Sequence, residues 1–470
     1  MLAQRNIAQL TVALAVALLL GTSTAFFWTR AQAGVDSAAL QASAAAATWS
    51  GSIIVQNDGT APAAVVINFY STVGVLVKSY SLPSPIAAKG SATVDTESIG
   101  DLPNGFAGSA VVSANQPVSA AFVGRDATNP AINNTIYNGF ASGSDAVYVP
   151  QISNNYSDQT STLAVQNIDP TAATVVIRFF ERFTGATTAT INDTIPPNAS
   201  HFYDASQLPG GQSLPAPWTG AALVQSSGGR VAAAVQQPYM SSNKAVSFEG
   251  SAAIGNDIFL ASALYQYAPQ RQTTFIDVQN ASAAAVNITV TFYSTNGASV
   301  GTVSGTIQPF QKQSWNPGSA GIPPGFNGSA VVKGTGPIVA VANITSATDL
   351  SLAYTGSIRG TQRQALPYIR WAPSNDSRGW RTYIAAMNTD TLPSDINIKY
   401  YDQDGHITRT TSFTAVPPNA KVNDNPGNFL GDNRYLGAVE IESTRTVIGL
   451  VNAITVDGTQ AESYTSAPIQ

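Results

Sequence analysis

The sequence repeats one pattern at a spacing of about 110 residues. A strand-like run that ends in Asn occurs four times, and its Asn residues are 110, 113 and 108 positions apart. An aromatic pair begins twelve residues after each Asn, and a Gly follows within six residues of the pair's first member. Agreement at this many offsets predicts four copies of one structural unit. The four Asn-ending runs are IIVQN at 53–57, LAVQN at 163–167, IDVQN at 276–280 and IAAMN at 384–388.

Each unit has the composition of a β-sheet protein. Short runs rich in Val, Ile, Thr and aromatic residues are separated by turns such as Asn296-Gly297 and Asp404-Gly405, which supply the positive φ that a hairpin needs. Several short strands in about 110 residues are typical of immunoglobulin-like β-sandwiches, whereas a β-propeller blade takes about half that length. We therefore predict an all-β chain of four tandem immunoglobulin-like β-sandwich repeats after an N-terminal signal segment, with boundaries at 34–143, 144–255, 256–362 and 363–470.

The N-terminus has the features of an export signal. Arg5 precedes an apolar run from Leu10 to Gly21, and an A-x-A triplet ends at Ala33. This pattern predicts a signal peptide over residues 1–33 with cleavage after Ala33. The alternative is an uncleaved anchor, because residues 7–28 are long enough to span a bilayer. Either way we expect a secreted or extracellular protein at the cell surface, in contact with the membrane only through an uncleaved leader.

The first repeat has a weaker opening than the others. Repeats two to four each begin with an apolar strand, whereas the equivalent segment of the first repeat, near residues 36–40, contains mainly Ala and Ser. A sheet edge without its strand can accept a strand from another chain. This asymmetry suggests self-assembly, or assembly with other cell-surface components.

Composition and motifs argue against most chemical functions. The chain has no Cys, and 22 Lys and Arg stand against 27 Asp and Glu, so neither a thiolate metal site nor a basic nucleic-acid surface is expected. His201 lies between Ser200 and Asp204, an order that resembles a catalytic triad, but the same position in other repeats holds unrelated residues. We therefore predict no catalytic residue, no enzyme activity, no cofactor and no binding of nucleic acid.

One acidic turn leaves room for a metal ion. Asp402 and Asp404 flank the hairpin that ends at Gly405, and two carboxylates in a turn can bind Ca²⁺. The fuller calcium-loop pattern is absent, however, and Gly405 already accounts for the turn. The expectation is a plain hairpin, with Ca²⁺ as the alternative and no other metal.

Aromatic residues cluster in the loops that lead into the Asn-ending strands. Rings on loops at one end of a sandwich can form a flat platform for a sugar or a protein. Alternatively, these rings plug the contacts between consecutive domains, because every such loop lies at a predicted junction. The candidate residues for this platform or plug are Trp49, Tyr156, Tyr265, Tyr267, Tyr368, Trp371 and Trp380.

The repeat length and strand pattern over about residues 45–463 resemble bacterial secreted surface proteins built from tandem immunoglobulin-like β-sandwiches. The resemblance implies a non-enzymatic structural or adhesive role, in which stacked sandwiches act as a spacer, a surface-layer subunit or a filament subunit. The alternative function is binding of a carbohydrate or of extracellular matrix through the loop aromatics at the domain junctions.

Overall fold

The computed structural model describes residues 24–28, 49–103, 105–126, 134–348 and 350–469. Nearly all regular structure in these ranges is β-strand, arranged in six sheets. The prediction of an all-β protein is confirmed. None of the helices in the described ranges is long and apolar enough to cross a membrane.

For description we divide the chain into four segments by their strands. Segment 1 contains β1 (Thr24–Trp28), β2 (Trp49–Asn57), β3 (Val65–Ser71), β4 (Leu76–Ser81), β5 (Ser91–Asp95), β6 (Gly108–Ala114), β7 (Val118–Asp126) and β8 (Thr135–Asn138). Segment 2 contains β9 (Ala146–Asn154), β10 (Thr162–Asn167), β11 (Ala173–Glu181), β12 (Thr187–Ile195), β13 (Ser200–Asp204), β14 (Trp218–Ser227), β15 (Val231–Pro238) and β16 (Ala245–Glu249).

The second half of the chain follows the same plan with longer strands. Segment 3 contains β17 (Gly255–Tyr265), β18 (Thr273–Asn280), β19 (Val286–Ser294), β20 (Ser299–Ile307), β21 (Lys312–Trp315), β22 (Phe326–Thr345) and β23 (Ser351–Thr355). Segment 4 contains β24 (Thr361–Trp371), β25 (Trp380–Asn388), β26 (Ser394–Asp402), β27 (Ile407–Val416), β28 (Lys421–Asp424), β29 (Tyr435–Thr455), β30 (Ala461–Thr465) and β31 (Ala467–Pro468). The helices are one turn each: 3-10 turns at Thr96–Ser98, Pro209–Gly211 and Pro317–Ala320, and α1 at Gly427–Leu430.

Two strand orders recur along the chain. In segment 1, one sheet has the order β1-β6-β3-β4 and the other the order β5-β2-β7-β8. Segment 2 has the equivalent orders β9-β14-β11-β12 and β13-β10-β15-β16. In segments 3 and 4 the equivalent pairings are present, but β22 and β29 each run through both sheets and join them into sheets of seven and eight strands.

The first strand of segment 1 comes from an unexpected part of the sequence. Thr24–Trp28 pairs antiparallel with Gly108–Val112, in the sheet position that β9, β17 and β24 take in the other segments. The sequence places this strand inside the predicted signal peptide. Residues 36–40, where we expected the equivalent strand, lie outside the described residues.

The repeated Asn forms hydrogen bonds with the backbone of two turns in each segment. The side chain of Asn280 is fully buried, and its Nδ2 donates to the carbonyls of Ala284 (2.6 Å) and Ile307 (3.1 Å). Its Oδ1 accepts the backbone N–H of Ser282 at 2.8 Å. One amide thus satisfies backbone groups of two different turns, which explains why Asn recurs there. The equivalent side chains make the same kinds of bond at Asn57, Asn167 and Asn388.

The segments contact one another in a closed ring. The strands β8, β16, β23 and β30 hold equivalent sheet positions, and they touch in the order β8 to β16, β16 to β23, β23 to β30, and β30 back to β8. Across these contacts, the Asn138 N–H donates to Glu249 Oε1 at 2.6 Å, and Asn138 Nδ2 donates to the Thr465 carbonyl at 2.7 Å. The apolar core of segment 4 also includes Ile54 and Val123 of segment 1. The last segment therefore packs against the first, and the segments do not form a linear string.

In each segment, the hairpin that follows the aromatic pair contacts the next segment around the ring. We call each contact region between two segments a seam. Gly185 and Gly297 have φ of 70° and 83°. A Cβ at either position would lie 2.5 or 2.6 Å from a carbonyl oxygen of the next segment, Pro309 or Pro418 respectively. The same geometry joins segment 1 to segment 2 at Gly74, and segment 4 to segment 1 at Gly405, which approaches the Ala88 carbonyl. Glycine is therefore required both by the turn and by the approach of the neighbouring segment.

Candidate ligand-binding cleft between segments 1 and 4

The loop between β24 and β25 brings three of the predicted aromatic residues together. Tyr368 and Trp371 lie on β24, and Trp380 opens β25. Their loop lies where segment 4 meets segment 1, because β24 contacts β2 and β7 of segment 1. The three residues line one open cavity of about 610 Å³, which we call the seam cleft.

Arg370 fixes two of these rings. Its guanidinium carbon lies 4.1 Å from the ring centre of Tyr368 and 4.6 Å from that of Trp380, which is cation–π geometry. Its Nη2 also pairs with the buried carboxylate of Glu462. Burial raises the pKa of Glu462, and the charge of Arg370 opposes that rise. Arg370 is therefore a support for the aromatic wall, with its charge already matched.

Trp371 is held more deeply than Trp380. It is 7% exposed, and its indole N–H donates to the Gly431 carbonyl at 2.9 Å. The Arg381 guanidinium lies over its face at 4.8 Å, and the Tyr383 ring meets it edge-on at 5.8 Å. Trp371 is therefore almost fully buried where it lines the seam cleft, whereas Trp380 is partly exposed.

Both walls of the seam cleft carry charged groups, and the acidic ones lie on segment 1. Segment 4 supplies Arg378 and Arg434 beside the aromatic rings, and segment 1 supplies Glu97, Arg125 and Asp126. Arg125 pairs with Asp95 at 3.1 Å, and Arg434 pairs with Asp376 at 2.7 Å. An open cavity with aromatic rings and a few fixed polar groups has the composition of a ligand site, and its volume lies within the usual range of about 300–1,000 Å³.

Tyr156, Tyr265 and Tyr267 do not line this cleft. Tyr156 is partly buried, and its hydroxyl accepts a bond from Arg182 Nη1 at 2.9 Å within segment 2. Tyr265 is partly buried beside Gly318, and Tyr267 is 37% exposed, both in segment 3. The backbone of Trp49, the first residue of β2, pairs with Asp126, and its side chain lies outside the described part of the structure. Among the predicted aromatic residues whose side chains are described, the structure brings together Tyr368, Trp371 and Trp380 at the junction of the last and first segments.

The arginine and acidic residues of the seam cleft were missed from the sequence. Arg125 and Arg434 are more than 300 residues apart, and nothing in the repeat pattern shows that segment 1 contacts segment 4. Only Arg370, between Tyr368 and Trp371, gave a local signal, because a cation next to aromatic residues often stacks on them.

The ring nitrogens of His201 contact groups other than Ser200 and Asp204. Its Nδ1 lies 2.7 Å from Asp193 Oδ2, and its Nε2 lies 3.0 Å from the Thr72 carbonyl of segment 1. Asp204 instead accepts bonds from the backbone and hydroxyl of Ser206. His201 therefore connects segments 1 and 2.

The acidic hairpin of segment 4 holds its own turn. Asp402 Oδ1 accepts the His406 N–H at 2.8 Å, and Asp402 Oδ2 lies 3.3 Å from His406 Nδ1. One ligand atom each from Asp402, Asp404 and His406 lies within 4.8 Å of the others. Three side-chain ligands are fewer than the six to eight that Ca²⁺ prefers, so Ca²⁺ binding stays a prediction.

The comparisons with known proteins give little further information. No protein-family model matches the sequence, and no curated protein matches it. Thermotoga maritima 1070 is 14% identical, with 22% of this chain and 93% of that chain covered at a TM-score of 0.20. The Anabaena sensory rhodopsin transducer is 19% identical, with 19% and 97% covered at 0.16. The serine-rich repeat protein Srr2 from Streptococcus agalactiae is 9% identical, with 51% and 85% covered at 0.14. At these TM-scores none of the three similarities supports a functional argument.

Proposed function

We propose that the chain consists of four immunoglobulin-like β-sandwich repeats of about 110 residues, at 34–143, 144–255, 256–362 and 363–470, closed into a ring. The recurrence of two strand orders supports four equivalent units. The cyclic contacts of β8, β16, β23 and β30 support a ring in which every unit has two neighbours.

This ring is a non-enzymatic extracellular surface protein with a structural or adhesive role, as a spacer, a surface-layer subunit or a filament subunit. The observation that carries this function is the closure of segment 4 on segment 1, because a closed ring is a rigid body that can be tiled, stacked or displayed. Export, predicted from the leader, is consistent with a chain that has no Cys and relies on buried apolar cores.

Electron microscopy and surface proteolysis test this function. Cells that produce the full chain are treated with a protease that cannot enter them, and the purified chain is imaged at low and high concentration. We expect the protease to remove the protein from intact cells, and images of compact four-lobed particles that order into arrays or filaments at high concentration. Protection from the protease together with single particles at every concentration would contradict the proposal.

A second function, carbohydrate binding, is favoured by the seam cleft. Trp380 and Tyr368 are partly exposed there beside polar groups of both segments, and exposed aromatic rings stack on the apolar faces of sugars. A saccharide-binding screen of the full chain and of the Trp380→Ala variant tests it. Binding that the substitution abolishes, without turnover of the sugar, supports a non-enzymatic binder. Equal binding by both proteins places the site elsewhere, and turnover would establish an enzyme.

A further inference from the structure

Arginine is concentrated in the seam cleft. The chain contains 15 arginines among 470 residues, and four of them, Arg125, Arg370, Arg378 and Arg434, line this one cavity. Arg125 belongs to segment 1 and the others to segment 4, so the cluster exists only when the ring is closed. In a chain with a formal net charge of −5, this cluster is a local exception.

Three of these guanidinium groups retain free hydrogen-bond donors. Arg125 bonds to Ser52 and Asp95 through Nη2 alone, and Arg434 bonds to Asp376 through Nη2 alone. Within the described residues, their Nε and Nη1 groups have no partner. Arg378 is exposed and makes no hydrogen bond with any other described residue, although its charge helps to lower the pKa of the nearby Asp457 carboxyl. The acidic partners therefore orient Arg125 and Arg434 without using all of their donors.

Guanidinium groups with unused donors bind carboxylates well, because two parallel N–H groups match the two oxygens of the acid. The aromatic rings of Tyr368 and Trp380 suit the apolar face of a sugar ring. Glu97 of segment 1 offers carboxylate oxygens to sugar hydroxyls. We propose that the seam cleft binds an acidic saccharide, a chain of uronic acid units, with Arg378 as the main contact to the sugar carboxylate.

This proposal rests on the carbohydrate-binding function and specifies its ligand. The probes are oligosaccharides of galacturonate, glucuronate and mannuronate, each compared with its own methyl ester, which keeps the sugar and removes the negative charge. Isothermal titration of the full chain at low and moderate salt measures each affinity. We expect at least one free acid to bind about tenfold more tightly than its ester, as one charge-assisted hydrogen bond predicts, and to weaken as salt increases.

Two arginine variants show whether the cleft is responsible. Arg378→Gln should lower the affinity for the free acid about tenfold and leave the affinity for the ester unchanged. Arg409→Gln, on the exposed edge strand β27 of the same segment, is the matched control and should change neither. Because Arg378 is exposed and in a loop, its substitution should leave the melting temperature unchanged.

The outcomes separate the two levels of the proposal. Equal binding of acids and esters would overturn the acidic preference. An Arg378→Gln variant that binds the acid like the parent would overturn the role of Arg378. Carbohydrate binding stands in both cases. Absence of binding by every probe would overturn both.

Discussion

At the residue scale, the Asn that reveals the repeat in the sequence also connects two turns of each segment in the structure. The sequence predicts that a strand of each repeat ends in Asn, but it does not show which groups this Asn binds. They include backbone carbonyls up to 30 residues away that the Asn amide reaches. A pattern of residue types can reveal such a position, whereas its partners are known only once the turns are in place.

A substitution at Asn280 tests this role. Asn280→Asp replaces the Nδ2 amino group, with its two N–H donors, by one carboxylate oxygen that faces the Ala284 and Ile307 carbonyls. The substitution should therefore cost about 2–4 kcal/mol of unfolding free energy. Asn287→Asp, at an exposed position of the neighbouring strand β19, should change stability by less than about 0.5 kcal/mol. Urea denaturation of the parent and both variants gives the comparison, and equal losses would contradict the account.

Lys421 makes stability depend on pH. This side chain is buried in segment 4, and burial lowers its pKa to about 7. Between pH 7 and the ordinary lysine pKa of 10.5, the unfolded chain therefore holds a proton that the folded chain lacks, so stability should rise with pH in this window.

The matched variant Lys421→Met cannot take up that proton. The difference in unfolding free energy between parent and variant should change by up to about 1.4 kcal/mol per pH unit between pH 7.5 and 9.5. Denaturation at three pH values measures it. A constant difference would mean that Lys421 keeps its charge in the folded protein.

At the scale of elements, substitution of the hairpin glycines tests whether the contacts between segments contribute to stability. Gly185→Ala strains a positive φ and also places a methyl group against Pro309 of the next segment. Gly211→Ala strains a similar φ of 74°, with no neighbouring atom within 4 Å. Both should lose about 1–2 kcal/mol from backbone strain, and Gly185→Ala should lose at least 1 kcal/mol more. Equal losses would show that the seam contact contributes nothing.

The first strand could not be placed from the sequence. The repeat spacing directed attention to residues 36–40, but Thr24–Trp28 pairs with the sheet edge at Gly108–Val112. Residues 36–40 lie outside the described residues, so a strand there stays a prediction. A variant beginning at residue 34 should melt several degrees below one beginning at residue 24, since it leaves that edge unpaired. Identical melting temperatures would show that the strand is dispensable.

At the scale of the whole molecule, the units were predictable and their arrangement was not. The hairpin glycines recur at every contact between segments, but the charged contacts between segments use residue types that differ from one segment pair to the next. Lys89 pairs with the buried Glu440 at 3.1 Å between segments 1 and 4, whereas buried Lys312 pairs with Asp277 within segment 3 at 3.0 Å and also donates to Gln151 of segment 2. With no common motif, such contacts leave no periodic signal, and the seam cleft that depends on them was equally hidden.

Closure of segment 4 on segment 1 is the central claim, and cross-linking tests it most directly. The chain has no Cys, so a variant with Asn138→Cys and Thr465→Cys reacts with a short bismaleimide only at those two positions. We predict an intramolecular cross-link in nearly every monomer, identified by mass spectrometry of the linked peptides. A control with Ser79→Cys and Thr302→Cys, on edge strands of segments 1 and 3, should remain unlinked. An unlinked 138–465 pair, or links between molecules only, would contradict the closed ring.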